Sequence, residues 1–374
     1  MRKLLRRLVR AVALIVATII LIPVLGLAYG YVTSGAPVGG PLQPVALTDE
    51  QKAISTSLDK EIDGYRRPEE STYLTYPEWA IVYAAREYAG LVREQPPHAF
   101  PYWAYVGRYW ADYAAMIRAS SRYRLNVQNH LMLVVIGISH TVEHAIQWLY
   151  ENTAGRITYA VAGGTVEQDG FLAENAAEYA DFLDQVPWYA YPYETRQDAL
   201  WDIPVAGGQA AIRSWERRLG FSAALKIKQA YADLIKSGLA ATSDPAALDI
   251  HVWAKGPVAQ AIAGEPDTRI ERDLGPQGAV FVTRRYQVFT DMVPRLIRRG
   301  VTFVEIGGND EILVTTTSTR PLTAPGHSRL LFSYALPVDP AQRRTGFAIS
   351  VRRLHEALQA LDAAGARLEH IYDY

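Results

Sequence analysis

The feature that most constrains the fold is a change in the spacing of apolar residues at about Gly278. Before this glycine, apolar residues recur at helical intervals, and after it short β-rich runs alternate with two helical segments. The expected order after Gly278 is β-α-β-β-β-α-β, with the glycine pair at Gly307 and Gly308 in a hairpin turn. This pattern predicts a mainly α part followed by an α+β part of the ferredoxin-like kind with one additional strand.

The chain has 374 residues, a length that favours more than one folded core. A stretch rich in glycine and proline at 32–48 reads as a linker. We predict the following division: residues 1–31 as a basic stub and membrane anchor, 32–48 as the linker, 49–277 as a helical, aromatic-rich domain, and 278–374 as the ferredoxin-like α+β domain.

The N-terminal segment suggests a location. Residues 1–10 carry five basic side chains, and residues 11–31 carry no charge. A run of this length and polarity predicts a transmembrane signal anchor, with the N-terminus in the cytoplasm. The folded body would then be periplasmic, on a single-pass protein of the cell membrane. A cleaved signal peptide is the alternative, although its best small-residue site at Ser34-Gly35-Ala36 is followed by Pro37.

Composition excludes several classes of site. The chain contains no cysteine, so disulfides, thiolate metal sites, iron–sulfur clusters and cysteine nucleophiles are all ruled out. A formal net charge of −1 gives no general attraction for polyanions, and we expect no nucleic-acid partner. The sequence also lacks a phosphate-binding glycine loop and a nucleophile elbow of the G-x-S-x-G type.

The most suggestive side chains lie on a helix predicted over 126–151. His140, His144 and Glu151 fall on one side of it, opposite an apolar side that includes Ile146. Histidines four residues apart are neighbours on a helix and can bind one ion, which predicts zinc, another transition metal or haem there. Glu143 is the candidate catalytic residue. The alternative is an ordinary polar face whose histidines meet solvent or structural partners.

The letters His-Thr-Val-Glu-His at 140–144 match the H-x-x-E-H pattern of inverted zinc peptidases. That chemistry needs another carboxylate ligand and a folded context, and no strand pattern leads into this helix. The match therefore does not predict a peptidase.

Aromatic residues form a second set of candidates. They crowd a helix predicted over 100–117 and a proline-rich segment at 187–201. Such a band can lie at a membrane interface, line a ligand pocket or pack helices together. The predicted ligand-binding residues are Tyr102, Trp103, Tyr109, Trp110, Trp188 and Tyr189.

No complete catalytic constellation is visible in the sequence. We therefore predict a non-catalytic, membrane-anchored envelope protein of binding or accessory type. It would contact the membrane through its N-terminal helix and hold a protein partner or an apolar ligand. The alternative is a membrane-anchored, metal- or haem-dependent enzyme that uses His140 and His144.

Overall fold

The computed structural model describes residues 2–35, 42–239 and 248–374. Its helices are α1 Arg2–Thr33, α2 Asp49–Glu61, α3 Ser71–Glu78, α4 Ala80–Val92, α5 Tyr102–Ser120, α6 Val127–Tyr150, α7 Arg156–Ala162, α8 Glu167–Leu183, α9 Tyr193–Asp202, α10 Ala210–Leu239, α11 Val258–Ile262, α12 Gln287–Arg298 and α13 Leu354–Ala363. Its strands are β1 Asp249–Lys255, β2 Arg269–Asp273, β3 Ala279–Arg284, β4 Thr302–Ile306, β5 Glu311–Ser318, β6 Ser328–Ala335, β7 Arg343–Ser350 and β8 Arg367–Tyr372. The predicted order, helical and then α+β, is confirmed.

The α+β part, residues 249–374, contains two four-stranded antiparallel sheets. The first has the strand order β2-β3-β1-β4, and Val252 of β1 lies opposite Phe281 of β3 and Ile306 of β4. The second has the order β6-β7-β5-β8, and Val314 of β5 lies opposite Phe347 of β7 and Ile371 of β8. The spatial order of the strands is therefore the same in both sheets when the strands of each sheet are numbered along the chain.

One apolar core joins the two sheets. Helices α12 and α13 bury Phe289, Leu296 and Leu361 in the same cluster as Phe281 and Phe347. Side chains of a strand point alternately to its two faces, and Ile250, Val252 and Ala254 of β1 are therefore buried together in this core. The result is a tightly packed unit.

Two strand predictions need correction. Strands β1 and β2 were not predicted, and because both pair with β3 the proposed boundary at 277/278 falls inside the first sheet. The turn at Gly307–Asp310 does not form a hairpin, because β4 pairs with β1 and β5 pairs with β7 and β8. It connects the two sheets instead. Gly307 and Gly308 do form a turn, and both have positive φ angles, which glycine adopts without strain.

The helical body, residues 71–239, is built around α5. This helix packs on α1, α3 and α6, while α4 packs on α8 and α10 packs on α7 and α9. Tyr109, Trp110 and Tyr113 of α5 are buried in one cluster with Leu133 of α6. Aromatic side chains at helical spacing therefore fill the space between helices, as the packing alternative predicted.

The predicted signal anchor is wrong. Within the ranges that the structure describes, no helix is both long enough and apolar enough to cross a membrane. The predicted single-pass location in the cell membrane, with a periplasmic body, is wrong with it. The uncharged run belongs instead to α1, which lies against α5. Gly26 and Gly30 have no side chains and allow close contact with Trp110, and the Arg118 guanidinium donates a hydrogen bond to the carbonyl oxygen of Gly35 at 2.8 Å.

Candidate functional site

Helix α6 turns its polar side inward. Asn126 caps it, with its side-chain oxygen accepting a hydrogen bond from the amide of Asn129 at 3.2 Å. His140 is only 5% exposed, whereas Leu149 on the opposite side is 57% exposed. This orientation is the reverse of an ordinary amphipathic helix, in which the apolar side is buried. The inward polar side faces a cavity.

The cavity has a volume of about 450 Å³ and lies between α4, α6, α8 and α10. Most of its wall is apolar or aromatic, with contributions from Ile81, Phe100, Ile136, Leu172, Trp188 and Phe221. Trp188 stacks on Tyr231, with ring centroids 5.0 Å apart. Tyr231 in turn shares a hydrogen bond of 3.1 Å with the hydroxyl of Ser139. Small-molecule sites in proteins have this size and this mainly apolar character.

An ion pair forms part of the cavity wall. The Lys228 ammonium lies 2.7 Å from the Glu143 carboxylate, and Gln147 donates a second hydrogen bond to the same carboxylate at 3.3 Å. The side chains of Glu143 and Lys228 are 41% and 29% exposed, and because both line the cavity, that surface is open to a ligand.

The pair remains charged at neutral pH. Burial acts to raise the pKa of Glu143, but the nearby Lys228 ammonium outweighs it and lowers that pKa below its ordinary value. Burial acts to lower the pKa of Lys228, and the Glu143 carboxylate outweighs it and raises that pKa. Each group therefore stabilises the charged form of the other.

His140 and His144 are adjacent in the same wall, with ring centroids 4.0 Å apart. His144 Nδ1 donates a hydrogen bond of 3.0 Å to the carbonyl oxygen of His140, so its proton lies on Nδ1. His140 Nε2 is buried and has no hydrogen-bond partner among the described residues. Burial lowers the pKa of both imidazoles, well below the ordinary value for His140, so both are neutral at pH 7.

Glu151, the predicted third metal ligand, is bound to an arginine. It begins a π-helical turn, Glu151–Gly155, directly after α6. The Arg217 guanidinium donates to both of its carboxylate oxygens, at 2.6 and 2.7 Å, and to Asp169 at 2.9 Å. Such bidentate, charge-assisted hydrogen bonds are strong, so this carboxylate is held by protein groups.

The predicted metal set is therefore brought together only in part. His140 and His144 are neighbours, Glu143 lies beside them, and Glu151 is paired elsewhere. Within the ranges that the structure describes, no three or more histidine, aspartate or glutamate side chains form a group that could hold a metal ion. A zinc, other transition-metal or haem site on the histidine pair stays a prediction.

The predicted aromatic ligand-binding residues are distributed over four environments. Tyr102 and Trp188 line the large cavity. Tyr109 lines a separate space of about 20 Å³, room for about one water molecule. Trp110 packs between helices. Trp103 is exposed and Tyr189 partly exposed, and neither lines the large cavity.

Lys228 and Tyr231 were not predicted as site residues. Both lie on α10, 85 and 92 residues after their respective partners Glu143 and Ser139 on α6. No local pattern marks a lysine as the partner of a distant carboxylate, so only the fold identifies it.

Comparison with protein-family models, with curated proteins and with solved structures found no match. The chemistry of the cavity wall is therefore the guide to function.

Proposed function

We propose that this protein binds an apolar small molecule in the cavity of its helical body. The observation that carries the proposal is a space of about 450 Å³ whose wall is mostly apolar and contains a few fixed polar groups. A ligand with a fused aromatic ring system that buries roughly 400 Å² there would gain about 10 kcal/mol from the hydrophobic effect. Costs of ordering would reduce this gain, so affinities on the order of micromolar are expected.

The state of the polar groups favours binding over catalysis. Glu143 is paired with Lys228, and Glu151 is paired with Arg217. A general base or acid must exchange a proton with the substrate, and carboxylates held charged by a cationic partner are poorly suited to that task. The role supported by this wall is to hold and orient a ligand.

The alternative function, a metal- or haem-dependent enzyme, rests on the adjacent rings of His140 and His144. Metal analysis and an absorption spectrum of the purified protein test it. A stoichiometric metal that is lost in both His140→Ala and His144→Ala would favour this alternative.

We also infer that the α+β part consists of two ferredoxin-like units. Support comes from the strand orders β2-β3-β1-β4 and β6-β7-β5-β8, each with a helix before the last strand. In this proposal the second sheet is the support of the helical body. Thr72 of α3 donates a hydrogen bond to the carbonyl oxygen of Tyr372 at 2.6 Å and accepts one from the amide of Leu313 at 2.9 Å.

The ligand proposal is tested by filling the cavity. Ala224 of α10 lines the cavity, whereas Ala230 of the same helix is exposed and does not. Fluorescence titration with pyrenebutanol, a neutral apolar probe, should show binding at least about tenfold weaker in Ala224→Phe than in the wild type. Ala230→Phe should bind like the wild type. Equal binding by all three proteins, each with the same circular dichroism spectrum, would contradict the proposal.

A further inference from the structure

The charges on the cavity wall cancel. Glu143 and Glu151 supply two negative charges, and Lys228 and Arg217 supply two positive charges. The other titratable side chains of the wall are the neutral histidine pair and tyrosines, several of which have pKa values raised by burial. A ligand thus enters a space whose lining has no net charge.

No cation in this wall is left over for an anionic headgroup. Arg217 is held by Glu151 and Asp169. Behind it, Arg213 is held by Asp169 and Glu216, at 2.8 and 3.0 Å. The two guanidinium groups are thus shared among three carboxylates. Lys228 is held by Glu143, so an anionic headgroup would meet a carboxylate beside each cation.

A cationic headgroup would likewise find no carboxylate in this wall without a cationic partner. The two carboxylates of the wall already have cationic partners, at distances of 2.6 to 2.7 Å. An ionised group that enters an apolar space without a free counter-charge loses its hydration and gains no partner. Displacing an existing partner would leave a different charge of the wall without its counter-charge.

A neutral group with both a donor and an acceptor finds unused capacity at this pair. The ammonium of Lys228 has three N–H donors, and one of them points to Glu143. The contacts of Glu143 with Lys228 and Gln147 both use Oε1, so Oε2 keeps its acceptor capacity. A hydroxyl can accept from Lys228 and donate to Glu143, and a carbonyl can accept from Lys228, without separating the two charges.

Building on the proposed function, we propose that the ligand is an uncharged amphiphile, with a hydroxyl or carbonyl headgroup at the Glu143–Lys228 pair and an apolar body along the remaining wall. The stacked rings of Trp188 and Tyr231 provide a flat apolar surface for that body.

Three matched probes test this inference on the full chain: pyrenebutanol, pyrenebutyric acid and pyrenebutylamine, which share the ring and differ in headgroup charge. Fluorescence titration at pH 7 should show the alcohol binding the wild type at least about tenfold more tightly than the acid or the amine. Glu143→Gln leaves Lys228 unpaired and should shift the preference towards the acid. Lys228→Met leaves Glu143 unpaired and should shift it towards the amine.

Lys226→Met is the matched control, because Lys226 lies on the same helix, is exposed and does not line the cavity. Its preference should equal that of the wild type. Tightest binding of the acid or the amine by the wild type would overturn the neutral-ligand inference and leave the proposed binding function intact. An alcohol preference that is unchanged in both Glu143→Gln and Lys228→Met would overturn the placement of the headgroup. If none of the probes binds, both the inference and the proposed function are contradicted.

Discussion

The helical body and the α+β part both bury charged side chains, but they use them differently. In the helical body, Glu143 and Lys228 line an open space of about 450 Å³. In the α+β part, Arg344 is enclosed by protein groups: Glu369 accepts two hydrogen bonds from it at 2.7 Å and Glu87 accepts one at 3.1 Å. Its guanidinium also lies 3.7 Å from the centre of the Tyr83 ring.

The α+β part also encloses a carboxylate, that of Glu305. Glu305 of β4 accepts hydrogen bonds from Ser55 of α2 at 2.8 Å and from Tyr65 at 2.7 Å. These contacts, like those between Arg344 and Glu87, join elements that are distant in sequence. Because Arg344 and Glu305 are buried without facing the cavity of the helical body, burial of a charged side chain does not by itself mark a functional site. A charge that faces a space large enough for a ligand is the informative case.

The largest expected effect comes from removing an enclosed charge. Arg344→Met should lower the free energy of unfolding by about 3–5 kcal/mol, because Glu369 and Glu87 would stay buried without their partner. Lys228→Met should cost only about 1 kcal/mol, because Glu143 faces the cavity and can be hydrated there. Chemical denaturation monitored by circular dichroism measures both. Equal losses would remove the distinction between the two regions.

Replacing a phenylalanine by alanine should also lower the free energy of unfolding more in the α+β part than in the helical body. Phe281 is fully buried in the core shared by the two sheets, and Phe221 lines the cavity. Phe281→Ala should cost about 3–5 kcal/mol, because it leaves a void in a packed core. Phe221→Ala should cost about 1–2 kcal/mol, because the side chain already borders open space. A larger loss in Phe221→Ala than in Phe281→Ala would contradict this prediction.

One contribution to the pH dependence of stability should come from Asp373 in the α+β part. Burial raises the pKa of Asp373 to about 7, and Arg285 at 3.9 Å opposes the shift only in part. Between about pH 4 and 7 the folded state keeps a proton that the unfolded state has released, so this group's contribution to stability falls as pH rises. Relative to Asp373→Asn, the wild type should lose on the order of 2–4 kcal/mol across that window. Parallel curves for the two proteins would contradict the assignment.

Ligand binding should show the smallest effect of pH. The pKa of Glu143 is lowered, that of Lys228 is raised and those of both histidines are lowered, so we expect no change of charge in these groups between about pH 7 and 9. Pyrenebutanol affinity should therefore stay within about twofold between roughly pH 7 and 9. A midpoint of the binding curve at neutral pH would show that a wall group changes charge there.

The sequence predicted the elements of the cavity better than their orientation. The helix predicted over 126–151 is present as α6, and His140, His144 and Glu151 share one side as expected. Helical periodicity separates a polar from an apolar side, and the usual expectation is that the apolar side is buried. Here the polar side is buried, because α8 and α10 supply the opposing wall and the partners Lys228 and Arg217.

Other differences have local causes. Thr75 and Glu78 have the spacing of a capping box, whereas α3 begins at Ser71 and Thr75 donates its side-chain hydrogen bond to the carbonyl oxygen of Ser71. The glycine residues after Glu151 are typical of a loop, but this segment forms a π-helical turn and α7, with Gly155 in helical conformation. Strand β1 was readable in principle from the alternation of Ile250, Val252 and Ala254.

The central claim is that the cavity holds a neutral amphiphile, and a crystal structure with bromonaphthylmethanol tests it most directly. Anomalous scattering locates the bromine without reference to any other feature of the electron density. We predict one bromine peak inside the cavity next to Trp188, with the alcohol oxygen within hydrogen-bonding distance of Glu143 or Lys228. A bound molecule whose bromine lies outside the cavity, with the cavity unoccupied, would contradict the claim.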